Sequence, residues 1–295
     1  MPRTAASVPF STRALVLRAR PLGEKDRVLT LFSPERGKFS AVARGARSPK
    51  GKLSALAQPF IVARFLGATG RTLDIITQAQ IEAIHAHIAG NVLKVSWASF
   101  ACECADWAPE RVADEEGFAI LQVFLDALNE AEGFAGSEAV GVWFQAQWLA
   151  HQGYAPTIGA CVSCGQKLDV TGEFWFGPRS GGTLCRNCRG VEPSPEPVSG
   201  AAMRAFHRLE RSRRPPRTLA DAPFSLDERE SGELARSAMR ALIAHGEGRL
   251  RSLPSLQDAR ASALLETRAE AVPIEAEAVP IEALTSVVTQ AQQKS

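Results

Sequence analysis

Four of the six cysteines in this 295-residue chain fall in two pairs, "CVSCG" at 161–165 and "CRNCRG" at 185–190. Two intervening residues let a tight turn bring both sulfurs of a pair to ~2.3 Å from one ion, and two such pairs close a tetrahedron. The gap between the pairs holds "EFWFGPRSGGTLC", which reads as strand, Gly-rich turn and strand, the hairpin of a zinc ribbon. Cys161, Cys164, Cys185 and Cys188 are therefore the expected ligands of one structural Zn2+ per chain. Gly165 and Gly190 follow the two pairs, where each turn is expected to need a positive φ. Four thiolates leave no open coordination position, so this zinc would hold structure and would not activate water. Free cytosolic thiols, or a redox pair, are the alternative reading. The H-x-E and P-C-x-x-C arrangement of zinc deaminases is missing, with Ala160 preceding Cys161.

The remaining chemistry-bearing residues form no catalytic constellation. Cys102 and Cys104 lie in a helical pattern, where successive positions diverge by ~100°, so they make a poor chelate and read as small buried residues. Paired with the C-x-x-C motifs they would suit a redox-switch chaperone, a minor rival. No phosphate-binding loop, nucleophile elbow or H-E-x-x-H motif occurs. His85 and His87 stand two apart, are expected to lack a carboxylate partner, and read as packing or surface residues. Asp114, Glu115 and Glu116 stand where a helix starts, and negative charge there favours the helix dipole. The rival reading of that triplet is a metal-dependent nuclease. The expectation is a binding protein, not an enzyme.

The elements that must position these residues fall into two textures. "TRALVLRA", "RVLTLFS", "GKFSAVARG", "PFIVARFLG" and "RTLDIITQ" are β-branched-rich runs separated by Gly/Pro/Ser turns. Five strands with no room for helical crossovers predict a small barrel, an OB-fold, over 1–80; an SH3-like barrel shares the pattern. From 81 the spacing turns helical: "NVLKVSWASFACECADW", "EEGFAILQVFLDALNEA", and "SEAVGVWFQAQWLAHQGY" with Ser137 as its cap. After the Pro-rich "VEPSPEPVSG", two further helices are expected, the second capped by Ser225. The fold class is thus α+β and multidomain: an N-terminal five-stranded OB-fold barrel, then a helical domain over 81–256 with a zinc-binding insertion at about 157–191. Residues 257–295, with "EAVPIEA" duplicated at 270–276 and 277–283, read as a low-complexity, mostly disordered tail.

The net charge of +2 hides a strong asymmetry. Residues 1–80 carry 14 Lys/Arg against 4 Asp/Glu, and residues 81–199 carry 6 against 15. Cations crowded onto a small barrel repel one another, and their natural counterpart is a polyanion. The candidate nucleic-acid contacts are Arg18, Arg20, Lys25, Arg27, Lys38, Arg44, Arg47, Lys50, Lys52, Arg64 and Arg71. Phe39 is the candidate base-stacking platform. A second run, Arg204, Arg208, Arg211, Arg213, Arg214 and Arg217, follows the Pro-rich connector and reads either as an additional basic surface or as a solvated helix end. No apolar run approaches the ~18 residues of a membrane span, and the N-terminus lacks an apolar signal core, so a cytoplasmic protein with no membrane partner is expected.

"ALVLRARPLGEKDRVLTLFSPERGKFSAVARGARSPKGKLSALAQPF" and "FQAQWLAHQGYAPTIGACVSCG" resemble the bacterial recombination mediators of the RecO family. Glu24, Asp26, Gly37, Gly45-Ala46-Arg47 and the "GYAP" run at Gly153–Pro156 are the most specific parts, and the likeness extends from about Ser11 to Leu250. The resemblance implies an OB-fold, a helical domain and, in some members, a four-cysteine zinc site. It further implies binding of single- and double-stranded DNA, annealing of complementary strands, and a partnership with RecR that loads RecA onto strands coated with single-strand-binding protein. A zinc-ribbon protein that binds RNA is the main rival.

Overall fold

Ala14-Leu15-Val16-Leu17 is apolar at four successive positions, and the fold uses both faces of it. Ala14 and Val16 point into the barrel core, whereas Leu15 and Leu17 point into the helical core. A strand buried on both faces needs such a continuous run, because successive side chains alternate across the sheet. In the computed structural model the described residues are 7–48, 51, 53–56, 58–169, 174–221, 223–246 and 250–271.

The barrel strands are β1 (Pro9–Leu22), β2 (Asp26–Ser33), β3 (Gly37–Ala43), β4 (Val62–Ala68) and β5 (Asp74–Ala83), closed in the order β1-β2-β3-β5-β4. β3 and β5 run parallel through Ala41↔Asp74 to Ala43↔Ile76, and the other pairs are antiparallel. This is an OB-like barrel, and its last strand runs past residue 80 to Ala83.

The helical domain comprises α1 (Ala86–Ala89), α2 (Val92–Ala105), α3 (Glu115–Glu130), α4 (Gly133–His151), α5 (Gly200–Leu209), α6 (Glu228–His245) and α7 (Leu253–Ala271). Trp97, Phe100, Phe124, Trp143, Phe144 and Phe206 fill its core. Asn91 caps α2, Asp114 caps α3 and Ser199 caps α5, each accepting from a backbone N–H three residues on. Two expected caps are corrected. Helix α4 begins four residues before Ser137, whose buried hydroxyl donates to the Gly133 carbonyl. Helix α6 is capped by Asp227 in a capping box with Glu230, not by Ser225. Between α4 and α5 lies a small sheet of β6 (Phe174–Gly177), β7 (Gly182–Leu184) and β8 (Glu196–Val198), ordered β7-β6-β8.

Barrel and helices are clamped together by backbone and charge. Arg111 N donates to Lys38 O at 2.8 Å, and Asp114 N to Pro34 O at 3.0 Å. Gly37 (φ +61°) sits so close to the linker that a Cβ would lie 1.8 Å from Val112 O. The fully buried Asp74 pairs with Arg36 at 2.9 Å and Arg111 at 3.0 Å. The expectation that His85 lacks a carboxylate partner is also corrected. Its ring lies 2.7 Å from Phe60 O and 2.9 Å from the Asp126 carboxylate, bridging the chain before β4 to α3. Sequence distance concealed that pair.

The boundary of the tail needs correction as well. Helix α7 carries the order to Ala271 and packs on α2 through Leu256 and Ala259, so 257–271 is not a disordered tail. Residues 272–295, with most of the duplicated unit, lie outside the described residues. Arg260 anchors α7: its guanidinium binds both carboxylate oxygens of the largely buried Glu138 and lies 5.6 Å from the Trp97 ring centroid. Arg260→Ala would leave that carboxylate without its cation, at a cost of about 1–3 kcal/mol. A urea titration should show the midpoint falling accordingly; an unchanged midpoint would mean that the Arg260–Glu138 pair does not anchor α7.

Candidate nucleic-acid interface and metal centre

The four sulfurs of Cys161, Cys164, Cys185 and Cys188 lie within 4.8 Å of one another, with Cys164 and Cys185 3.9 Å apart. Thiolates at ~2.3 Å around a tetrahedral ion would stand ~3.8 Å apart, so the donor set fits a soft divalent metal. The turns that present them follow local rules. Gly165 N donates to Cys161 O, Cys188 N donates to Cys185 O, and Gly165 has φ +75° as its turn requires. Gly190 departs from expectation: it lies in a 3-10 turn (Arg189–Val191) without positive φ, because the second knuckle runs directly into helical backbone. Burial pushes the Cys161 thiol up, but backbone hydrogen bonds from Cys185, Cys164 and Ser163 outweigh it and bring it down to about 6. The Ser163 hydroxyl pulls Cys188 down, yet the crowding thiols of Cys185 and Cys164 prevail and push it up to about 12. The thiols titrate as a coupled, crowded set, and a dication in the middle would relieve the repulsion among their thiolate forms. Cys102 and Cys104 are buried elsewhere, and burial pushes both thiols up, which leaves them inert.

The acidic triplet is occupied structurally. Asp114 accepts from Gly117 N at 2.8 Å and from His151 Nε2 at 3.1 Å. Burial alone would raise Asp114, but the His151 and Gly117 hydrogen bonds hold it below its usual value. The same Asp114 bond raises His151 against the opposing effect of burial. The lowered Asp114 stabilises the fold above pH 3.8, and that part is lost as pH falls through its folded value. The raised His151 contributes fully below pH 6.5, and that part is lost as pH rises through its raised folded value. The melting-temperature gap between the wild type and His151→Gln should therefore be widest between these limits and shrink above pH 6.5. A gap that is flat from pH 5 to 8 would contradict the pairing.

The structure sorts the candidate cations into three groups. The first is engaged with acids. Arg18 pairs with Asp106 at 2.6 Å, Lys38 donates to the Asp106 carbonyl and lies 3.7 Å from its carboxylate, and Arg64 pairs with Glu82 at 3.2 Å. Arg18 and Lys38 are therefore domain clamps. Arg71 forms the second group, exposed in the β4–β5 turn at the opposite end of the barrel. The third group converges. Arg20 and Arg27 flank the β1–β2 hairpin, Lys25 is in its turn, and Arg44 and Arg47 follow β3, whose Ala43 pairs with Arg27. Arg47 N donates to Lys25 O at 3.0 Å, Gly45 N donates to Asp26 Oδ1 at 2.8 Å, and the Arg47 guanidinium donates to Gly23 O. Two loops are thus sewn into one platform. Arg20, Lys25, Arg44 and Arg47 are exposed, Arg27 is half-buried, and none of the five forms an ion pair among the described residues. Lys50 and Lys52 lie outside the described residues.

Phe39 is corrected from stacking platform to core. It is 1% exposed, edge-on to Phe10 at 5.9 Å, with Arg36 over both rings. Strand alternation explains it: Phe39, Ala41 and Ala43 point inward and Lys38 outward. Sequence reasoning missed Arg251. It joins Arg18, Arg20, Phe60 and Asp106 around a cleft of about 600 Å³ between barrel and helices. Only the fold brings a residue so distant in sequence to the hairpin, so no local spacing could have announced it.

An OB-like barrel clamped to a helical domain, with a four-cysteine cluster that could hold a metal inserted after the fourth helix, defines a multidomain OB-barrel protein. The family models described as "Recombination protein O N terminal" and "Recombination protein O C terminal" match residues 8–85 and 90–254. "DNA repair protein RecO" of Desulforudis audaxviator is 34% identical over 205 residues, 68% of this chain and 78% of the relative. "DNA repair protein RecO" of Symbiobacterium thermophilum is 30% identical over 259 residues, 86% of this chain and 98% of the relative. The chain belongs to the RecO family. No helix among the described residues is long and apolar enough to cross a membrane.

Proposed function

We propose that the protein is a non-catalytic, cytoplasmic mediator of recombinational DNA repair. It binds single- and double-stranded DNA, anneals complementary strands and, with RecR, helps load RecA onto DNA coated with single-strand-binding protein. The observation that carries the reading is the platform of Arg20, Lys25, Arg27, Arg44 and Arg47, whose charge has no acidic partner among the described residues. Family membership and the repair role in the relatives' names support it. Annealing requires two polyanions to approach, and a cationic platform lowers their repulsion and releases counterions. With Phe39 in the core, backbone electrostatics dominate and sequence preference is weak. The metal is Zn2+, one per chain, held by Cys161, Cys164, Cys185 and Cys188; it supplies folding free energy to an insertion with only a few core residues of its own.

Fluorescence annealing of complementary oligonucleotides, with and without single-strand-binding protein, tests this across a salt titration. The expected result is acceleration that weakens steeply with salt, and no cleavage in Mg2+. Turnover of labelled DNA that disappears in Glu115→Gln would support the nuclease rival. Strong preference for RNA in competition would support the RNA-binding one.

A further inference from the structure

Helix α5 and the segment after it carry Arg204, Arg208, Arg211, Arg213, Arg214 and Arg217, all exposed. The first three stand at i, i+4 and i+7, one face of a helical path. The segment beyond is pinned by its backbone. Gln147 Nε2 donates to Leu209 O at 2.5 Å and to Ser212 O at 2.9 Å, and the Trp143 indole donates to Ser212 O at 2.9 Å. Further along, a methyl group on Gly136 would lie 3.5 Å from Arg217 O. The segment therefore lies along α4 from Gln147 back to Gly136, about 16 Å of helix. Ser212 Oγ donates to Arg214 O at 2.6 Å, and Pro215-Pro216 fix the backbone between Arg214 and Arg217.

The nearby acids are already engaged. Glu210 takes His207 at 2.7 Å and Arg211 at 3.7 Å, and Asp221 takes the Thr218 hydroxyl at 2.8 Å. Arg204, Arg213, Arg214 and Arg217 form no ion pair among the described residues. No large hydrophobic side chain is exposed between Val191 and Ile243 among the described residues, so the surface lacks the apolar centre of a protein interface. Exposed guanidinium groups carried on a pinned backbone, without that centre, suit a phosphodiester backbone.

We propose that 204–217 is a second strand-binding track, taking the backbone of a single-stranded nucleic acid independently of the barrel platform. The proposal rests on the DNA-binding reading above. The barrel packs on α2 and α3, whereas the track leads out of α5 along α4, so the two surfaces occupy different parts of the helical domain. At ~3.4 Å per nucleotide the part of the track that lies along α4 spans roughly 4–5 phosphates. One chain then holds two strands at once, and annealing needs no second copy.

The test uses the full chain with non-complementary 20-mer oligonucleotides in two colours, and complementary ones for annealing. The wild type should carry both colours. Arg213→Glu/Arg214→Glu/Arg217→Glu should carry one, keep its affinity for the first strand within ~3-fold, and anneal about 10-fold more slowly. The salt slope of second-strand binding should fall by about 2, as expected for three lost single-strand phosphate contacts. The Gln triple variant at the same positions should behave similarly, which separates lost contacts from introduced repulsion. Track variants that still carry two strands and anneal at the wild-type rate would overturn the track. If barrel variants then lose all binding, the general DNA reading survives alone; if they too bind as wild type, both readings fall.

Discussion

Cys161→Ser should purify without its metal and lose the knuckle while the rest of the chain stays folded. The sheet that carries the knuckle has two faces with different fates. Phe174, Phe176 and Val198 belong to the main helical core, and Phe176 stacks on Phe206 at 6.5 Å. Trp175 faces the other way, among Cys161, Leu184 and Cys185, with Arg189 4.9 Å from its ring centroid. Four buried residues are too small a core to hold the knuckle alone. Metal binding at such sites supplies on the order of 10 kcal/mol, so its loss frees the turns at 161–168 and 185–191. Metal analysis should fall from one ion per chain to none, and Trp175 fluorescence should shift to the red. Cys102 and Cys104 should stay protected from a thiol reagent while Cys164, Cys185 and Cys188 react. A wild-type chain purified without chelator and free of metal would remove the site altogether.

Arg20→Glu/Lys25→Glu/Arg44→Glu should weaken binding of a single-stranded oligonucleotide on the order of 10- to 100-fold at 0.1–0.2 M salt. These three are exposed and form no ion pair among the described residues, so the fold gives up no ion pair seen there. The slope of log affinity against log salt should flatten by about 2. Lys38 is the informative control. It is committed to Asp106, so Lys38→Gln should loosen the clamp between barrel and helices and lower the melting temperature more than it weakens DNA binding. Equal loss of binding from both variants would mean that the domain clamp, not the platform, governs the affinity.

What the sequence disclosed follows physical lines. Alternating runs and turn residues announced the five strands, because each strand's inward face is written locally. The cysteine spacing announced the four-cysteine cluster for the same reason. Phe39 was ambiguous, since a Phe on a basic strand serves either face until the register is known; its pairing with Leu31 of β2, itself in the barrel core, decides it. The roles of Arg18 and Lys38 were illegible because their partner, Asp106, comes from the end of α2. Helix α7 was hidden by its composition: it buries little beyond Leu256 and Ala259 and depends on an arginine for anchorage, so no apolar stripe marks it. Charge counting found the basic barrel but could not separate clamps from free cations.

Amide hydrogen exchange of the full chain, with and without a single-stranded 20-mer, tests the central assignment most directly. Protection should appear at 19–27 and 43–48, the two loops joined by the Arg47–Lys25 and Gly45–Asp26 bonds. Unchanged exchange in both loops under saturating DNA, with protection elsewhere, would contradict the barrel end as the surface that meets nucleic acid.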